Sequence, residues 1–323
     1  MSLIVFNKRP DVAVISKEER LRNPSIETDL SSSYPKIRIE KSPFAKGVAK
    51  PGDLSLKVII SILLFLPLFG YAQIAYRVIS LAPSITESLY LIGAQDKLVG
   101  CTSFCTQAIA DGKQQVGSTV DVNIEKILKL KPDLVLAMLL TKPQDIETMR
   151  RLGIKVEVIP TPKNFNEICN QTIQIAKLTG NENAAREIVQ KTKNEVDSLK
   201  LKCRKQPEKP KIFFQLGSNP IFTVLENTFM NDFILLCNCE NIANGLTKGS
   251  LTRESVLLKN PDVIIVATMG GFGAEEKKIW KSYKGLNAAK NNKIFLIDSE
   301  TACSPTPVNF AKAFADVVKF VNQ

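Results

Sequence analysis

From Asn183 to Lys205 the apolar and small residues fall at Ala185, Ile188, Val189, Thr192, Val196, Leu199 and Cys203. Steps of three and four between them trace one face of a helix. Glu187, Lys191, Glu195, Lys200 and Arg204 fill the opposite side. Gly180 closes the helix before it, Asn181 or Asn183 can cap it, and Pro207 and Pro210 stop it. At ~1.5 Å per residue the helix spans roughly 30 Å. That length suits a rigid strut joining two lobes. The plainer alternative is a surface helix inside one domain.

Short apolar runs alternate with helical patterns on both sides of this stretch. Before it, strands are predicted at 77–81, 97–101, 134–137 and 155–159. Ser84-Ile85-Thr86-Glu87 reads as a capping box for a helix ending at Gly93. Thr102–Gln107 is a polar loop. Asn123 caps a helix over Ile124–Leu130, and helices follow over Gln144–Leu152 and Phe165–Leu178. After it, strands are predicted at 211–216, 263–267 and 293–297. Gly217–Phe222 is a loop. Phe229–Cys237 is a helix capped by Asn227 or Thr228, and Thr252 caps Arg253–Lys259. Helices over Ala274–Tyr283 and Val308–Val321 complete the pattern. Such alternation predicts an α/β fold: two α/β lobes with mainly parallel sheets, 77–180 and 210–323, joined by one long backbone helix, 183–205.

The two halves share a unit. Glu125 stands seven residues before Pro132-Asp133 and a strand, and Glu254 stands seven before Pro261-Asp262 and a strand. A repeated helix–turn–strand unit implies pseudo-symmetric lobes. A cleft between the carboxyl ends of their strands is then the expected ligand site.

The N-terminal region differs. Residues 1–56 lack a clear hydrophobic period and carry several prolines, so disorder is expected there. Lys57 precedes the apolar run Val58–Gly70, and Gly70-Tyr71-Ala72 supplies small residues for signal-peptidase cleavage before Gln73. Residues 57–72 are therefore read as a signal peptide, with translation starting near Leu54. An uncleaved anchor over 58–76 is the alternative.

Composition narrows the chemistry. The 323 residues contain no His, which removes the commonest general base and transition-metal ligand. The net charge is +11, but the basic residues are spread along the chain, so no nucleic-acid patch is expected. The seven Cys show no zinc spacing, and Cys101 with Cys105 lacks a His partner for a metal. Seven is odd, so in an exported protein at least one thiol has no intramolecular partner. The GGFG stretch at 270–273 lacks dinucleotide-loop spacing and reads as a flexible loop. Glu125 and Glu254 each sit at the second position of a helix. A helix N-terminus favours one carboxylate there by about 0.3–1 kcal/mol. Two at matched positions point to a shared function.

RVISLAPSITESLYLIGA (77–94), VNIEKILKLKPDLVLA (122–137), IFFQLGSNPIFT (212–223), CENIANG (239–245) and LTRESVLLKNPDVIIV (251–266) carry a resemblance. They resemble the cobalamin/iron-siderophore substrate-binding family with a helical backbone, and within it the periplasmic vitamin B12-binding proteins of ABC importers. The resemblance covers about 77–323. It implies a non-enzymatic monomer in the periplasm that captures a ligand and delivers it to an ABC permease and its ATPase. The implied ligand is cobalamin or a related corrinoid, with a ferric siderophore as the alternative. Cobalt or iron would travel within the ligand, so no cofactor is implied. Glu125 and Glu254 match the family's docking glutamates. Phe104, Phe222 and Asp298 match positions near the corrinoid. Thr119, Met138 and Lys248 stand where well-known B12 binders have Trp. An enzyme with a two-lobed cleft and a membrane-anchored interaction module are the readings from other classes.

Overall fold

The computed structural model describes residues 74–203, 209–267 and 269–323. The expected disordered extension at 1–56, the expected signal peptide at 57–72 and the predicted strut beyond Cys203 lie outside the described residues. Among the described residues no helix is long and apolar enough to cross a membrane.

Lobe one is built on strands β1 (Val78–Ser80), β2 (Leu98–Cys101), β3 (Gln114–Gln115), β4 (Leu134–Met138) and β5 (Val156–Ile159). They pair in the order β3-β2-β1-β4-β5, all parallel. Helices α1 (Pro83–Leu91), α2 (Thr106–Ala110), α3 (Ile124–Lys129), α4 (Pro143–Arg151) and α5 (Phe165–Thr179) connect them. Alternate residues face opposite sides of the sheet. Val78, Leu134 and Leu136 pack with Ile85 and Leu89 of α1 and Ile175 of α5. Ile79, Val135 and Ala137 pack with Ile127 of α3 and Met149 of α4. Both faces are covered, which is why these strands read as continuous apolar runs.

Lobe two follows α6 (Glu182–Lys202), the strut. Its strands are β6 (Lys211–Ser218), β7 (Ile221–Thr223), β8 (Glu240–Asn241), β9 (Ser250–Leu251), β10 (Val263–Ala267) and β11 (Ile294–Ile297). Their order is β11-β10-β6-β7-β9, with β8 also on β6. Strands β11, β10, β6 and β8 are parallel, whereas β7 pairs antiparallel with both β6 and β9. Helices α7 (Asn231–Leu235), α8 (Arg253–Lys259), α9 (Gly273–Ser282), α10 (Asn287–Lys290), α11 (Ser299–Cys303) and α12 (Pro307–Asn322) complete the lobe.

The repeated unit does the same work in each lobe. Lys131 (φ 46°) and Asn260 (φ 44°) end their helices in the left-handed conformation before Pro132 and Pro261. The Asp133 carboxylate accepts from the backbone N–H of Tyr76 (2.8 Å) and Arg77 (3.0 Å), while its own N–H donates to Arg77 O. The Asp262 carboxylate accepts from Lys211 N–H (2.9 Å), and its N–H donates to Lys211 O. Each aspartate thus pins the start of its lobe's central strand.

The strut runs through both cores. Its buried residues are Ala185, Val189, Thr192 and Val196, four of the predicted face. Ala185 belongs to the apolar cluster of lobe one, and Val189 and Val196 to that of lobe two. Helix α5 divides in the same way: Phe165 and Ile168 join lobe two's core, Ile175 and Ala176 lobe one's. Phe165 stacks on Phe310 of α12, with centroids 4.5 Å apart, and Phe310 lies 4.7 Å from Phe233. Burying one such phenyl side chain contributes about 1.5–3 kcal/mol. The lobes are therefore fastened by packed helices and not only by loops.

Several expectations need correction. Ser84 does not cap α1: Ala82 holds the cap position and Pro83 opens the helix, so Glu87 is free to reach elsewhere. Part of the loop at 102–107 is helical, as α2. Residues 217–222 form a hairpin between β6 and β7, not a plain loop. Helix α7 is shorter than predicted and begins after Met230 with no side-chain cap. Asn181 precedes the strut without capping it; its amide donates to the carbonyls of Ile92 and Gly93 instead.

Candidate functional site

Parallel strands place the loops that follow them along one edge of each sheet. Phe104 and Cys105 follow β2, Thr119 and Val120 follow β3, and Met138 ends β4 before Leu139 and Leu140. In lobe two Phe222 lies on β7, paired with Gly217 near the carboxyl end of β6, and Asp298 follows β11. Five large apolar side chains on these segments face solvent: Phe104 (67% exposed), Leu139 (67%), Leu140 (63%), Val120 (52%) and Phe222 (46%). Behind Leu139 and Leu140, Leu134–Ala137 of β4 are fully buried, whereas both residues of β3 are exposed. Other exposed apolar side chains, Leu201 and Leu258 among them, lie on helices away from these segments.

A cavity of about 570 Å³ opens between α1, the segment after β2, the segment after β11 and the start of α12. Glu87, Tyr90, Phe104, Cys105, Asp298 and Lys312 are among its walls. Glu87 bridges the lobes there, accepting from Ser304 Oγ (2.5 Å) and Asn309 Nδ2 (2.9 Å). Burial raises the Glu87 carboxyl above its ordinary range, partly offset by those two donors. Tyr90 donates to Asp111 at 2.5 Å. Cys105 is held below the ordinary thiol range by hydrogen bonding from Cys101, Thr102 and Thr86. Among the described residues no cluster of three or more His, Cys, Asp or Glu could hold a metal ion.

The structure brings Phe104 and Asp298 together on this cavity and leaves the other four ligand candidates outside its walls. Asp298 caps α11, accepting from Thr301 N–H (2.9 Å) and Oγ1 (2.6 Å), and its carboxyl is lowered by those bonds. Met138 is half-buried and accepts a weak contact from Ser84 Oγ at 3.9 Å. Thr119 is half-buried, while Lys248 is exposed, two residues before Ser250, which pairs with Phe222. The sequence reading missed Glu87, Tyr90, Cys105, Asn309 and Lys312. Glu87 carried a local capping signal, and its true partners lie 217 and 222 residues away, a separation no spacing rule reveals.

Glu125 and Glu254 occupy the second positions of α3 and α8 and are exposed. Each helix runs back before entering a parallel strand, so its N-terminus lies at the same carboxyl edge as the cleft. Asn123 and Thr252 cap these helices as predicted, through Lys126 N–H and Ser255 N–H. Neither glutamate forms an ion pair among the described residues. The Glu254 carboxyl is lowered by the N–H groups of the helix start and by Thr252. Beside it, Arg253 pairs with Glu276 (2.6 Å) and lies over the Trp280 ring (5.0 Å). Gln215 completes this network, donating to Glu276 (2.8 Å) and accepting from Trp280 Nε1 (2.6 Å). The single Trp is thus a core residue that fixes the first turn of α8.

The family profile of the periplasmic binding protein matches residues 78–301. The chain is 28% identical over 238 residues to an uncharacterized ABC transporter substrate-binding lipoprotein of Bacillus subtilis, covering 72% of this chain and 75% of that one. It is 33% identical over 215 residues to the vitamin B12-binding protein of Yersinia pestis, covering 65% and 74%. A crystal structure of a possible iron-binding, periplasmic solute-binding protein from Staphylococcus epidermidis superposes with a TM-score of 0.67 at 28% identity, over 78% of this chain and all of that one. The matched sequence and the two lobes on a long helix agree: the chain belongs to the periplasmic binding protein family, a family that binds solutes rather than transforming them.

Proposed function

We propose that this protein is the substrate-binding component of an ABC importer, and that it captures cobalamin or a related corrinoid and delivers it to the permease. The observation that carries this reading is the set of exposed apolar side chains on segments that follow the strands, Phe104, Val120, Leu139, Leu140 and Phe222, with Phe104 on the wall of the cavity. Exposed apolar side chains grouped beside a cleft mark a surface meant to be covered. A corrinoid offers two broad apolar faces and a fringe of amides, and the cavity beside Phe104 supplies polar partners in Tyr90, Asn309 and Lys312. The vitamin B12-binding relative supports the same choice. A ferric siderophore is the second reading. It is favoured by Lys312 on the cavity wall and the exposed Lys248, which suit an anionic ligand, and by the structural neighbour described as a possible iron-binding protein. In either case the metal is carried within the ligand.

The remaining assignments follow from this reading. Phe104, Thr119, Met138, Phe222, Lys248 and Asp298 contribute to the ligand site, and Glu125 and Glu254 meet arginines of the permease. The working form is a monomer in the periplasm, released when 57–72 is cleaved, with 77–323 as its binding domain. Calorimetric titration with cobalamin, cobinamide and a panel of ferric siderophores tests the ligand. Saturable one-to-one binding of a corrinoid supports the proposal. Binding of a siderophore with no corrinoid heat transfers the assignment to the second reading.

A further inference from the structure

The strut ends on a thiol. Cys203 is the residue after α6, half-buried, and packs against the apolar cluster of lobe two. Its Sγ lies 3.0 Å from Sγ of Cys237, which follows α7 and is 1% exposed. A disulfide needs the sulfurs to close to about 2.05 Å, so roughly an ångström of side-chain movement separates this pair from a bond. Cys239 is buried two residues on, but its Sγ is turned to the Cys237 carbonyl at 3.4 Å. The strut's last turn also meets lobe two at α12, where Asn322 donates to Lys202 O at 2.9 Å.

We propose that Cys203 and Cys237 form an intramolecular disulfide that locks the C-terminal end of the strut to lobe two. The oxidant is a disulfide, either of a small thiol or of a thiol–disulfide exchange protein. The half-buried Cys203 is the accessible partner. Its thiolate attacks one sulfur of the donor and expels the first donor thiolate, giving a mixed disulfide. Cys237, having lost its proton to water, then attacks the Cys203 sulfur and expels the second. Two protein thiols lose two protons and two electrons, and the donor disulfide becomes two thiols. The closed loop joins positions 34 apart in sequence. Its closure restricts the unfolded chain and leaves the native contacts in place. Mechanically, the strut becomes part of lobe two, and relative motion is left to its lobe-one end around Ala185.

The test uses the full-length purified protein equilibrated with oxidised and reduced glutathione, then denatured, labelled with N-ethylmaleimide and weighed intact. Wild type should take up two labels fewer after oxidation than after full reduction for this bridge. Oxidised Cys203→Ala and Cys237→Ala should each carry one label more than oxidised wild type, because the abandoned partner is freed. Oxidised Cys239→Ala should carry one fewer. Denatured labelling reads these counts even from a variant that folds poorly. Oxidation should also raise the wild-type melting temperature by on the order of 5–10 °C, and that gain should vanish in Cys203→Ala. A rise in label count on removing Cys239, a fall on removing Cys203, or a persistent glutathione adduct in place of the closed bond overturns the proposal.

Discussion

At the scale of single residues, Glu87 shows how burial and partner choice set a carboxylate's behaviour. Its two donors come from lobe two, and its carboxyl is raised chiefly by burial. The folded protein therefore binds the Glu87 proton more tightly than the unfolded chain does. Stability contributed by this group is greatest below the ordinary carboxylate pKa and falls as pH rises through the raised value. Glu87→Gln keeps an oxygen to accept from Ser304 and Asn309 and removes that dependence. Its melting temperature should exceed that of wild type by a few degrees at pH 7 and match it near pH 4. Equal destabilisation at both pH values would show that the charge is not what the cavity disfavours. Glu125 and Glu254 make the opposite case, exposed and without ion pairs. Glu125→Ala and Glu254→Ala should each cost no more than about 0.5–1 kcal/mol in stability and leave ligand affinity unchanged. Permease binding should weaken in each and most in the double variant, since an Arg–carboxylate pair is a strong directional contact. Normal permease binding by the double variant, measured on permease in detergent, would remove the docking role.

At the scale of elements, the periodic stretches were readable and the short ones were not. The strut's buried face, the caps at Asn123 and Thr252 and the strand at 263–267 all follow from local pattern, because a long amphipathic helix or an apolar run carries its own signal. The helix–Pro–Asp–strand unit was legible as a repeat, though not the reason for it. Only the structure shows each aspartate accepting from the N–H that begins the central strand. Two-residue strands such as β8 and β9 exist because a neighbour offers free hydrogen-bonding groups, so their own residues scarcely announce them. The site divides similarly. Phe104 and Asp298, picked out by motif, line one cavity, whereas Glu87 and Asn309 are joined across most of the chain length.

For the whole molecule, the joint between the lobes is a packed one. Helices α5, α6 and α12 share core residues with both lobes or stack across them, and a continuous helix bends less readily than a loop hinge. Small-angle scattering of the free and ligand-saturated protein should give radii of gyration that differ only slightly. A closure of many ångströms would show that the strut flexes. A corrinoid held between apolar walls would depend on Phe104 and Phe222, which equilibrium dialysis of cyanocobalamin against wild type and against the Phe104→Ala/Phe222→Ala double variant measures. One molecule bound per chain is expected for wild type, with affinity at least tenfold weaker in the double variant, about 1.4 kcal/mol or more. No binding to wild type, or equal binding by both proteins, would contradict it.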